Sequence, residues 1–253
     1  MGERILYKYL DAEGGAAMLY NSNLMFTNAT QLNDPFDCHQ NLVDYSNAPS
    51  KVVGPWDQKT IERLEENRAE RQRNDTWICS LSKVCNSLLM WTFYARNHQG
   101  ICIGINMDKA KKYLDRLIGT LIGCLDFEVQ YRDIVQKPDY FHEEKDYYFY
   151  QFATKAKEWE YEQEVRLISV NPSPMFMKPK PGQDGEKGPI DWKEVRAFVD
   201  LGGDCFESVY LGLNILSKNK EDIIKVAKKL NPDIKIYQMT TDPKAFKLKA
   251  EQI

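Results

Sequence analysis

Apolar and polar positions alternate over short stretches along most of this chain, and long helical periodicity is uncommon. Residues 4–10 alternate with a period of two, which puts Leu6, Lys8 and Leu10 on one face and Ile5, Tyr7 and Tyr9 on the other. Comparable patterns predict strands at 24–27, 76–82, 101–106, 127–131, 164–170, 194–201 and 208–213, with a closing pair at 234–240 and 245–249. Helices are predicted at 58–73, 87–97, 108–117 and 221–230, and another leads from the tyrosine-rich segment after Pro138 to near Trp159. Short strands with irregularly placed helices predict a single α+β domain over residues 1–253. The mixed charges of 58–73, spaced three and four apart with few apolar anchors, predict a solvated surface-helix insertion at about 56–74. Five prolines and three glycines in 171–190 predict a loop.

Against this pattern a few polar residues stand out. Glu162, Glu164 and Arg166 would share one face of a strand, with Gln163, Val165 and Leu167 on the other. Such a row is either a solvated edge with cross-strand ion pairs or part of a site. Lys8 between two leucines is either snorkelling at an edge or reaching an anionic group. Asn33 and Asp34 precede Pro35, where they can close an Asx turn or line a cleft. Trp91, Tyr94 and His98 fall on one face of a helix that extends to its last turn, as a core stripe or a ligand cradle.

Composition narrows the classes. Hydrophobic residues make up 43% and charged residues 28%, as in an ordinary globular protein. A net charge of -3 gives no general attraction to nucleic-acid backbones. No apolar run is long enough to cross a bilayer, and no signal-peptide core follows the N-terminus, so a cytoplasmic protein without membrane partners is expected. The six cysteines contain no CxxC and there are three histidines, which predicts reduced thiols and no metal site. Cys38 and His39 are adjacent and would face opposite ways on an extended backbone, so they suggest no nucleophile–base pair.

Leu-Tyr-Lys-Tyr, Leu-Asn-Asp-Pro-Phe-Asp, Cys-Ser-Leu-Ser, Met-Trp-x-x-Tyr-Ala-x-x-His-x-Gly and Trp-x-Tyr-Glu-x-Glu-x-Arg follow one another between Leu6 and Arg166. In this order they resemble a bacterial family known as domain of unknown function 2971. More remotely, the succession of Lys8 and Tyr9, Ser80-Leu81-Ser82 and Glu162-Gln163-Glu164 is similar to ADP-ribosyltransferases. That likeness implies a split β-sandwich of short strands with peripheral helices, clasping NAD as substrate between its two sheets. It implies that Glu164 holds the nicotinamide ribose and stabilises an oxocarbenium-like charge, while Glu162 orients or deprotonates the acceptor. Ser80 and Ser82 would position the ribose and Glu164, and Trp91 or Tyr94 would support the nicotinamide pocket. Lys8, Tyr9, Asn33, Asp34, His98 and Arg166 complete the expected binding set, although Lys8 lacks the bidentate geometry of the family's usual arginine. The acceptor would be a protein or nucleic acid, and the likeness extends to bacterial toxins and anti-phage defence effectors. The alternatives are a module sensing a nucleotide or phosphate through Lys8, Arg166 and His98 without catalysis, and an NAD glycohydrolase in which water replaces the acceptor.

Overall fold

A computed structural model of the protein describes residues 2–47, 57–115, 125–142, 144–170, 177–178 and 196–253. Apart from 177–178, the predicted loop at 171–190 lies outside the described residues.

The centre of the fold is a strand predicted to the residue, β3 (Thr76–Ser82), antiparallel along its whole length to β8 (Glu164–Val170). Six of its seven residues are buried, as expected for an interior strand. Beside it run β1 (Ile5–Leu10), β4 (Ile101–Asn106) and β11 (Phe206–Leu211), then β12 (Lys235–Thr241) and β13 (Leu248–Gln252). Toward the other side the sheet continues through β2 (Asn23–Asn28), β10 (Arg196–Asp200) and β9 (Met177–Lys178). The strand β5 (Leu125–Glu128) pairs with β8, which makes the sheet branched and eleven-stranded. A separate parallel pair joins β6 (Gln130–Arg132) to β7 (Thr154–Ala156). With helices on both faces of a mixed sheet, the protein is α+β.

Strand parity sorts the core. Ile101, Ile103 and Ile105 face Leu6, Met18, Leu19, Ile223 and Ala227, whereas Cys102 joins Tyr9, Trp91 and Tyr210 on the opposite face. The first group is covered by α1 (Ala12–Asn21), α4 (Met107–Leu114) and α6 (Ser217–Leu230). The second is covered by α3 (Leu88–Phe93). Helix α1 is absent from the pattern-based prediction because Gly14 and Gly15 weaken helical propensity. Asp11 caps it through Gly14, and Gly15 lets it close onto β4, since a Cβ there would lie 2.3 Å from Ile101 Cδ1. The charged helix α2 (Gln58–Asn74) is anchored by Ala69 and reaches Asp37, whose carbonyl accepts from Arg73 Nη2 at 3.2 Å.

The closing strand expected over 245–249 lies at Leu248–Gln252, and three other predicted elements differ. The helix expected over 87–97 ends at Phe93, and Arg96, Asn97 and His98 turn left-handed with φ of 48°, 53° and 65°. Backbone bonds from His98 to Trp91 and from Asn214 to His98 hold that turn against its strain. The helix expected to run to Trp159 is α5 (Glu144–Ala153), followed by β7 and a 3-10 turn over Lys157–Glu162. The strand expected over 127–131 divides at Val129 into β5, which pairs with β8, and β6, which pairs with β7.

Candidate functional site

One side of β3 is incompletely paired. Ser82 meets Tyr7 of β1, and Trp77 and Ile78 meet Asn28 and Thr27 of β2. Between those contacts β1 and β2 diverge and leave 79–81 facing a gap. A cavity of about 260 Å³ fills the fork, with Lys8 and Ser80 on its strand walls and Glu162 and Glu164 contributed from the β8 side. Lys8 Nζ donates to the Ser80 carbonyl at 2.8 Å, a backbone acceptor on the stretch without a neighbouring strand. Lys8 is therefore not at a sheet edge: β1 lies between β4 and β3, and the ammonium serves the cavity wall.

Beneath the cavity lies a buried ionic cluster. Arg166, with no exposed surface, grips Asp37 at 2.7 Å through Nη1 and 2.6 Å through Nη2. Its Nε and Nη2 also reach Glu164 at 3.0 and 3.2 Å, and Nη1 donates to the Phe152 carbonyl at 2.9 Å. All five guanidinium N–H groups are thereby used. Lys155 extends the chain of charges, with its ammonium 2.6 Å from Glu162, 3.2 Å from Glu164 and 3.8 Å from Asp37. The Lys155 ammonium also lies 4.9 Å from the centre of the Trp159 ring. Tyr94 donates to the other Glu162 oxygen at 2.5 Å, and Tyr131 Oη accepts from the Glu164 backbone N–H at 2.8 Å.

This environment separates the two glutamates. Burial alone would raise the Glu164 carboxyl, but Arg166 and Lys155 outweigh it and hold that group below the ordinary carboxylate range. The Ser80 side chain adds a hydrogen bond in the same direction. Burial raises Glu162, against a partial opposing pull from Lys155, and the charge of Glu164 raises it further. Lys155 itself is driven up because Glu164 and Asp37 overcome its burial. The Cys38 thiol, pushed well up by burial and by Asp37, is not a thiolate at neutral pH.

The fork brings together Lys8, Tyr9, Asn33, Ser80, Ser82, Tyr94, Glu162 and Glu164 from the expected set. Tyr9 is largely buried, with its hydroxyl on the Val84 carbonyl, and Ser82 donates to the Glu162 carbonyl at 2.7 Å. Asn33 Nδ2 lies 3.5 Å from Tyr94 Oη. Four expected residues lie elsewhere. Trp91 is a core residue bonded to the Cys85 carbonyl, because its ring packs under Tyr9. His98 is carried off by the left-handed turn and stacks on Trp91. Asp34 lines a neighbouring cavity, and Arg166 lies behind Glu164, outside the cavity lining. The strand-face expectation for Glu162 also changes: it belongs to the 3-10 turn, and Gln163 at φ 43° swings its carboxylate toward Lys155.

Sequence patterns did not single out Asp37, Lys155 and Tyr131. Asp37 was present in the Leu-Asn-Asp-Pro-Phe-Asp motif, and the surplus of acid over base around Glu162 and Glu164 implied a further cation. Among the described residues no three His, Cys, Asp or Glu side chains form a metal-binding group, and no helix is long and apolar enough to cross a membrane.

Residues 90–167 match the family model described as Protein of unknown function (DUF2971), so over this span the chain carries that family's signature. The matched span contains Tyr94, Lys155, Glu162, Glu164 and Arg166, while Lys8, Asp37 and Ser80 precede it. No curated protein and no solved structure matches the chain.

Proposed function

From the paired glutamates at the fork, we propose that the protein is an ADP-ribosyltransferase-like enzyme that uses NAD as substrate. The observation that carries this reading is the pair Glu162 and Glu164, held at one cavity with their proton affinities driven apart. Paired carboxylates in different protonation environments can divide electrostatic and proton-transfer roles. The divergence of β1 and β2 along β3 supports the finer likeness to a split β-sandwich.

In this proposal the nicotinamide-ribose end of NAD enters the fork. A cavity of about 260 Å³ suits that end and leaves the remainder of the dinucleotide outside. Lys8, a cation of the cavity wall, offers its charge to the pyrophosphate that adjoins this end of NAD. As the bond from the ribose C1′ to the nicotinamide nitrogen breaks, its electron pair leaves with neutral nicotinamide. Three carboxylates (Asp37, Glu162 and Glu164) against two cations (Lys155 and Arg166) give the cluster a formal charge of -1 when Glu162 is ionised. That excess favours the positive charge developing at C1′. Glu164 supplies fixed negative charge, and Glu162 takes the proton from the acceptor nucleophile as the new bond to C1′ forms. The acceptor is a protein or nucleic acid.

Anion sensing through Arg166 and His98 has less support, since Arg166 has no N–H left to offer and His98 is outside the cavity. The test is nicotinamide release from NAD. Glu164→Gln should lower turnover by about a hundredfold to a thousandfold while changing NAD binding much less. A folded variant with undiminished release would remove Glu164 from the reaction, and a parent protein releasing none would reject the NAD reading. Free ADP-ribose as the sole product would identify water as acceptor.

A further inference from the structure

The sheet ends at β13, which pairs with β12 on one side and, among the described residues, with no strand on the other. An open edge of this kind presents unpaired backbone groups to any strand that matches it. We propose that β13 is the docking edge for a second copy of this chain, the two β13 strands pairing antiparallel about a twofold axis at Ala250. The proposal is independent of the NAD reading.

Backbone alternation decides which groups the edge offers. Ile253 N donates to the Ile236 carbonyl at 3.0 Å, and Asp242 N donates to that of Lys247 at 2.9 Å, both in the register of the β12–β13 pair. Residues 247, 249, 251 and 253 therefore turn their N–H and C=O groups toward β12, while Leu248, Ala250 and Gln252 turn theirs outward. The outward set is symmetric about Ala250. In an antiparallel pair centred there, Ala250 faces Ala250 of the second copy and Leu248 faces Gln252. Every outward residue of β13 then exchanges both of its backbone hydrogen bonds.

Charge complementarity selects the same register. Lys249 and Glu251 are exposed and flank the centre, so each meets the opposite charge on the second copy. They do so at non-hydrogen-bonded positions, where facing side chains approach most closely. Moving the axis by one residue either way would set Lys249 against Lys249 or Glu251 against Glu251. Within one chain Lys249 reaches Asp242 at 3.2 Å and Glu251 accepts from Thr240 at 3.1 Å, contacts that leave the outer edge open.

The register also accounts for two exposed apolar residues. Phe246 is fully exposed at the hairpin turn, and Ile253 is more than half exposed beyond the other end of β13. Pairing about Ala250 sets Lys247 opposite Ile253 of the second copy, with Phe246 the next residue along, so both apolar residues become neighbours across the interface. Strand β13 lies five strands from β3, roughly 24 Å at the usual spacing, so the fork of each copy stays open.

The test is sedimentation equilibrium of the full chain from about 1 µM to about 300 µM. A single short edge should give a weak dimer, with a Kd of about 10–100 µM. Lys249→Glu and Glu251→Lys each bring like charges together at both symmetric positions, and each alone should weaken the dimer about tenfold or more. An equimolar mixture of these two variants should dimerise within about threefold of the parent, because every facing pair is again of opposite sign. Ala250→Pro should abolish the dimer and leave a folded monomer by circular dichroism, since the N–H it removes points away from β12. If Ala250→Pro does not fold, the charge exchange at two exposed side chains decides alone. A parent that stays monomeric at about 300 µM, a dimer untouched by a folded Ala250→Pro, or mixed charge variants that fail to associate would overturn the assignment.

Discussion

Replacing Asp37 by Asn tests the architecture beneath the site without reference to any substrate. The Asp37 side chain is 1% exposed and takes both terminal nitrogens of a guanidinium that is itself 0% exposed. Asparagine keeps one acceptor oxygen but presents an NH₂ group to the other guanidinium nitrogen, so one strong bond becomes a donor–donor contact. Removing one partner of a buried ion pair costs about 3–5 kcal/mol. Glu164 remains against Arg166 at 3.0 Å, which places the expected loss near the lower end, about 3 kcal/mol. A chain of this size has a urea dependence near the upper end of the usual range, about 3 kcal/mol per molar, so the unfolding midpoint should fall by about 1 M. The assay is equilibrium urea unfolding followed by far-UV circular dichroism, repeated for Arg166→Met and for the double variant. The cycle should yield a coupling of about 2 kcal/mol. A midpoint shift below about 0.3 M, or a coupling below about 0.5 kcal/mol, would refute the view that Asp37 and Arg166 hold the cavity floor together.

Three further predictions follow from the same geometry. Glu164 lies below its unfolded value of roughly 4.3, so its stabilisation is full above that pH and is lost as pH falls toward its folded value; Glu164→Gln should flatten the stability curve between about pH 5 and about pH 3. Tyr94→Phe removes a hydrogen bond that lowers the Glu162 pKa, so the acidic limb of a pH–rate profile for nicotinamide release should move to higher pH; an unmoved limb would remove Glu162 as the proton acceptor. Gly212→Ala would drive a Cβ to 2.2 Å from the His98 carbonyl oxygen and 2.8 Å from that of Gly100, so thermal unfolding should show a loss of about 1–3 kcal/mol. A stability equal to the parent's would mean that the 96–98 turn yields freely.

Much of the framework was determined locally. Short runs of strand-forming residues, bounded by the Ser-x-Ser end of one and the Gly100 break before the other, located β3 and β4 at their observed ends, and the charged helix at 58–73 emerged one residue longer, because strand and helix propensity act over a few neighbouring residues. Parity also put Glu164 and Arg166 on one strand face, where they meet. What local pattern could not determine was which charges answer them. Asp37 is 129 positions from Arg166, and Lys155 enters only because α5 stops at Ala153 and β7 presents the ammonium to both glutamates. Likewise His98 left the predicted face through three left-handed residues that tertiary backbone bonds sustain. The fork itself has no sequence signal, since it arises where β1 and β2 pair with opposite ends of β3 and separate between them. Propensity and periodicity are short-range properties of the chain. Coulombic pairing in a dry interior and the divergence of strands are long-range ones, and they exist only once the sheet has assembled.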